Sequence, residues 1–103
     1  MRSATVTVLI HMQLLPEFAD PGKSDLLNLA SAVRSAEPDC LAIELAQDLD
    51  DPLKITMIEK WTSREAYEGP HMSSPHMQAF IDNSARYFAG PPSISFYHAT
   101  AVS

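Results

Sequence analysis

Basic residues and cysteine are scarce in this chain, and each scarcity excludes something. Seven Lys and Arg stand against 13 Asp and Glu over 103 residues, a formal net charge of −6. The cations are scattered, so no basic stripe exists to neutralise phosphates or hold an anionic membrane surface. Neither nucleic acid nor a membrane is expected as a partner. The single cysteine, Cys40, cannot close an intrachain disulfide. There is no long apolar segment after a basic N-terminal region, so the expected location is the cytoplasm. No apolar run approaches the roughly 20 residues that span a bilayer. The length suits one domain over residues 1–103. A domain this small gains stability by burying further surface in an oligomer.

What is present is periodic. From Ala4 to Leu14, Val6, Val8, Ile10, Met12 and Leu14 alternate with Thr5, Thr7, His11 and Gln13, which predicts a strand ended by Pro16. Asp20-Pro21-Gly22 reads as a turn, and Ser24 as the N-cap of a helix over about Lys23 to Ala36 with Leu26, Leu27, Ala30 and Val33 on one face. Cys40 to Leu49 alternates Leu41, Ile43 and Leu45 against Ala42, Glu44 and Ala46, a second strand. After an acidic turn, Leu53 to Trp61 forms a third, with Ile55, Met57, Glu59 and Trp61 on one face. Thr62 and Glu65 have capping-box spacing, predicting a short helix from Arg64 to about Glu68 that Gly69-Pro70 stops. Ser74-Pro75 opens a helix with Met77, Phe80, Ile81, Ser84, Ala85 and Phe88 on its apolar face, ended by Gly90-Pro91-Pro92. Ile94, Phe96 and His98 then alternate in a last strand. This order predicts an α+β, ferredoxin-like split β-α-β fold with an antiparallel sheet. Helices on one face leave the other to be covered, which a homodimer packed sheet to sheet would do.

Chemistry concentrates between Glu59 and His76, where the only Trp, a Tyr and two His fall together. Trp61 is either a core side chain or a pocket wall, and its indole N–H needs a partner if buried. Tyr67 either packs a short helix on the sheet or points its hydroxyl at a ligand. His71 suits a base for a phenol, because an imidazole titrates near neutrality, but it also suits a helix end. His76 sits in a first helical turn, where exposure is an equal alternative. Glu59 shares a strand face with Trp61, where it either orients a His or, the main expectation, forms an ion pair with Arg64 or Arg86. Four His do not make a metal site here: His71 and His76 are five positions apart with Pro75 between them, unlike an i, i+4 ligand pair, and no metal is expected.

The chain resembles the antibiotic biosynthesis monooxygenase superfamily over about residues 4–100. The likeness is carried by Asp50-Asp51-Pro52, Glu59, Trp61, Ser63, Glu65-Ala66, His71, Ser74-Pro75-His76 and Gly90-Pro91-Pro92. It implies a dimeric α+β barrel with a ligand cavity between helices and sheet. It also implies oxidation of aromatic phenols or quinols by molecular oxygen without cofactor or metal. Trp61 and Tyr67 match the pocket Trp and Tyr of a polyketide-oxidising member, whereas Met57 and Ile81 stand where that member has Asn and Arg. Haem-degrading relatives would place their Trp and His at His71 and Ile81, so haem is not expected.

The expected function is a cofactor-independent monooxygenase of a small or polycyclic phenol or quinol. Tyr67 and His71 are its expected catalytic residues, and Trp61, Met57, Glu59, His76 and Ile81 are its expected substrate contacts. An isomerase or decarboxylase of a small carbonyl compound, and a ligand-binding dimeric module without catalysis, are the alternatives.

Overall fold

The computed structural model describes residues 5–102, so Ala4 lies outside the described residues. Strand β1 runs Val6–Gln13 and a 3-10 turn Pro16–Phe18 leads into helix α1, Ala19–Ala36. Strands β2, Cys40–Gln47, and β3, Lys54–Trp61, form a hairpin. Helix α2, Arg64–Ala66, widens into a π turn over Tyr67–His71, and α3 spans Pro75–Ser84 before a 3-10 turn at Ala85–Tyr87. Strand β4, Ser93–Tyr97, closes the order. The four strands lie as β2-β3-β1-β4 with every pairing antiparallel, the ferredoxin-like α+β arrangement.

The expected faces hold where the register aligns them. Val6 lies opposite Trp61, Val8 opposite Glu59, Ile10 opposite Met57 and Met12 opposite Ile55. These residues face the helices, and Val8, Ile55, Met57 and Trp61 are buried with Leu26 and Val33 of α1. On the opposite face Leu9 pairs with Ile58, both only half-buried among Thr7, Thr56 and Lys60. Among the described residues no helix is long and apolar enough to cross a membrane.

Several local expectations are corrected. Asp20-Pro21-Gly22 is not a turn but the first turn of α1. Pro21 sits where a helix has no carbonyl to bond its missing N–H, so it is tolerated there. Gly22 is buried against Leu14, and a Cβ at that position would collide with the leucine side chain. Ser24 is consequently an interior helical residue rather than a cap. In β2 a bulge between Cys40 and Ala42 inserts Leu41 as an extra, exposed residue, while Cys40, Ile43 and Leu45 pair with the core-facing Trp61, Glu59 and Met57. Pro70 does not stop the helix, because widening to a π turn carries the chain past it to His71.

The cap before Arg64 is Ser63, whose hydroxyl accepts from the Ala66 N–H at 3.1 Å, whereas Thr62 donates to Asp39 at the exposed surface at 2.8 Å. Ser63→Ala is therefore expected to cost about 1 kcal/mol in urea denaturation, and Thr62→Ala roughly half that or less. Equal losses would assign the cap wrongly.

Candidate functional site

The helices do not close fully on the sheet. Between them lies a cavity of about 320 Å³, at the lower end of the roughly 300–1,000 Å³ usual for ligand pockets. Ile10, Met12, Met57, Ile43 and Ile94 supply its sheet wall, and Leu26, Leu29, Ala30 and Val33 its α1 wall. Met72, Met77, Phe80 and Ile81 close the far side, Ile81 at the half-open rim. Four of the five methionines are in this lining, which gives an apolar surface able to adjust to a ring. Among the described residues, the only titratable side chains in the lining are Glu59, Tyr67 and His71.

The π turn explains how two of these meet. Tyr67 and His71 are four residues apart on one wide turn, their rings 4.9 Å apart, and both are buried. Trp61 lies behind them, 4.5 Å from the His71 ring and 5.6 Å edge-on from the Tyr67 ring. It is fully buried and is not among the cavity-lining residues. The expectation of a pocket wall is thus corrected to a buttress: β3 ends there, and the Tyr67 and His71 rings stand between the indole and the cavity. Its N–H donates to Glu59 Oε1 at 2.9 Å. The expected ion pair of Glu59 is not formed: Arg64 pairs with the exposed Glu68 at 3.2 Å and lies over Phe96, and Arg86 lies over Tyr87.

Glu37 went unnoticed in the sequence and organises the site. It caps the C-terminal end of α1, and its Oε2 accepts from His71 Nδ1 at 2.9 Å and from His76 Nε2 at 2.6 Å. A signal existed: an acidic residue at a helix C-terminus opposes the helix dipole and calls for cationic or donor partners. His76 is thereby drawn to Glu37 and lines a shallow outer cleft with Asp25, Asn28 and Asn83 instead of the cavity, which corrects its expected substrate contact. The three donor atoms lie within 4.8 Å of one another, so the five-residue spacing that argued against a shared site was no obstacle to convergence. Their donor types would suit a zinc-like cation. Yet the carboxylate oxygen sits at hydrogen-bonding distance from both rings, closer than the roughly 3.3 Å edge of a tetrahedral zinc site. We read the cluster as two imidazoles sharing one acceptor.

That bond has a chemical consequence. With Nδ1–H committed to the carboxylate, the His71 lone pair is on Nε2. Burial pushes the His71 pKa below the usual histidine range, the Glu37 hydrogen bond and charge oppose that, and His76 adds to it. His71 is accordingly a neutral base at neutral pH. Burial, the chief cause, raises the Tyr67 phenol, which stays protonated as a donor. The Cys40 thiol is pushed up to about 11, chiefly by burial, so it is no thiolate nucleophile. A second, shallower hollow of about 600 Å³ opens at the other end of the sheet between His11, Gln13, Asp48 and Lys54, away from the aromatic cluster.

Comparison with known proteins identifies the family and the fold. The model of the antibiotic biosynthesis monooxygenase family matches residues 5–83, and the chain belongs to that family. Among solved structures, a Pseudomonas aeruginosa protein is similar at 26% identity and TM-score 0.85, over 98% of this chain and 99% of that one. A Mycobacterium tuberculosis protein shares the fold at 19% identity and TM-score 0.83, over 97% and 99% of the two chains. A structure described as an antibiotic biosynthesis monooxygenase superposes with TM-score 0.82 at 24% identity, over 93% and 99%. No curated protein matches the chain.

Because Glu37 supports the protonated form of His71, removing its charge moves the titration downward. In an NMR-monitored titration His71 should titrate below the usual histidine range, and Glu37→Gln should lower its midpoint further. An unchanged or raised midpoint in that variant would break the assigned coupling.

Proposed function

We propose that the protein is a cofactor-independent monooxygenase that oxidises a small or polycyclic phenol or quinol with molecular oxygen. The observation that carries this reading is the His71–Glu37 pair, at 2.9 Å, set beside Tyr67 at the polar end of an apolar cavity. His71 Nε2 takes the phenolic proton, and the resulting ring anion is the reductant that oxygen requires. An electron passes from the anion to oxygen, and the two radicals join in a new C–O bond. His71 Nε2 returns its proton to the ring peroxide, and loss of water from the hydroperoxide, with the hydrogen of the attacked ring carbon, leaves a ring carbonyl. One oxygen atom stays on the product; the other leaves as water with two hydrogens from the substrate, so no external reductant enters. The Tyr67 hydroxyl donates to the ring oxygen as negative charge develops, and the apolar walls keep bulk water from the anion. Trp61 holds the Tyr67 and His71 rings from behind, and Met57 and Ile81 shape the apolar wall.

We also propose a homodimer, in which a second copy covers the half-buried Leu9 and Ile58 on the face away from the helices. The whole chain then acts as one domain per protomer. Sedimentation at micromolar concentration is expected to show a dimer that Ile58→Lys dissociates, and a monomeric wild type would remove this part.

Oxygen consumption with a panel of quinols and hydroxyanthracenes tests the activity. His71→Ala should lose roughly 10²–10⁴-fold in rate, the usual worth of a general base, with Tyr67→Phe losing less. Absence of oxygen uptake across the panel would sink the monooxygenase reading, and turnover under argon would favour an isomerase or decarboxylase.

A further inference from the structure

Glu59 is a buried titratable group whose side chain, among the described residues, is bound only to an indole. Glu59 is 6% exposed in the middle of β3, paired with Val8 on one side and Ile43 on the other. No salt bridge reaches it among the described residues, and its single side-chain partner is the Trp61 N–H. An indole nitrogen only donates, so it satisfies Oε1 and leaves the second oxygen. That oxygen has no partner among the described residues and yet is not sealed in protein, which leaves the cavity it lines as the space it meets. Among the described residues the cavity lining contains neither Lys nor Arg. A carboxylate here would be a buried charge with one neutral hydrogen bond and no counterion, a state proteins avoid by protonating the group.

We propose that Glu59 is a neutral carboxylic acid that donates its O–H into the cavity, so that the site selects an uncharged ring ligand bearing an acceptor oxygen and rejects ring carboxylates. The groups facing this end are Tyr67 and His71 from the π turn, Glu37 from the end of α1 and Cys40 from β2. Arg34 of α1, the cation beside Cys40, is committed to the Cys40 carbonyl oxygen and forms no salt bridge with Glu59 among the described residues. Burial raises Glu59 above the usual carboxylate range and the Glu37 charge adds to that, against the opposing Trp61 hydrogen bond. Donor and base then share one polar end: Glu59 addresses a carbonyl or second ring oxygen, and His71 Nε2 addresses the hydroxyl proton. The negative charge left on the ring after proton removal meets the O–H donors of Glu59 and Tyr67 instead of a second carboxylate. The selectivity rests on the cavity being the ligand site proposed above, whereas the protonation state does not.

The test therefore has two independent parts. Infrared difference spectra of the wild type against Glu59→Gln at neutral pH should show a protonated-carboxyl stretch lost in the variant; its absence from the wild type overturns the proposal. Fluorescence of Trp61, the sole indole and a direct partner of Glu59, should report binding of naphthohydroquinone about tenfold or more tighter than of its ring-carboxylated counterpart. Glu59→Gln keeps an N–H donor and should retain that preference, and Glu59→Ala should weaken the neutral ligand. Equal binding of the two ligands overturns the selectivity. A protonated carboxyl with no binding of either ligand upholds the acid and overturns the ligand reading.

Discussion

The arrangement depends on one shared carboxylate oxygen. Glu37 Oε2 accepts from imidazoles that arrive on two different segments, the π turn and the first turn of α3, while Glu37 itself ends α1. Helices α1 and α3 flank the cavity, and this junction ties the end of one to the first turn of the other. The same bond that fastens the helices assigns the His71 proton to Nδ1 and aims a lone pair at the cavity. Structure and chemistry are coupled there: the acidic helix end gains donors that offset its unfavourable dipole, and a buried ring gains a defined tautomer.

Around that point the polar groups are few and separately held. The π turn places Tyr67 and His71 on one wall, and Trp61 at the end of β3 packs behind both. Trp61 also occupies one oxygen of Glu59, leaving the other toward the cavity. Everything else in the lining is apolar, much of it methionine. A ligand in this space therefore meets its polar contacts at one end only, which suits a flat ring carrying its reactive oxygens along one edge.

The sheet and most helix faces were legible in the sequence because burial imposes period two on β1 and β3 and spacing near 3.6 on α3. The antiparallel order followed from the alternation of strands and helices. Local exceptions were not legible. The bulge at Leu41 shifts pairing by one residue without a Gly or Pro to mark it, and Pro21 looks like a breaker until its place in the first helical turn is known. Trp61, Tyr67 and His71 are concentrated in one stretch of sequence, and the structure brings their rings together. What each ring faces depended on the π turn, which the Gly69-Pro70 pair concealed. Glu37 was missed because its partners lie 34 and 39 residues away, beyond any local pattern.

The family assignment rests on residues 5–83 and on the shared fold, whereas the chemistry rests on which His71 nitrogen bears the proton. Long-range ¹H–¹⁵N correlation of the neutral imidazoles measures that directly in the unmodified protein. With Nδ1 bound to Glu37, neutral His71 is expected to be protonated on Nδ1, with Nε2 showing the downfield shift of an unprotonated ring nitrogen. A neutral His71 protonated on Nε2 would mean that Glu37 does not orient it and that no base faces the cavity.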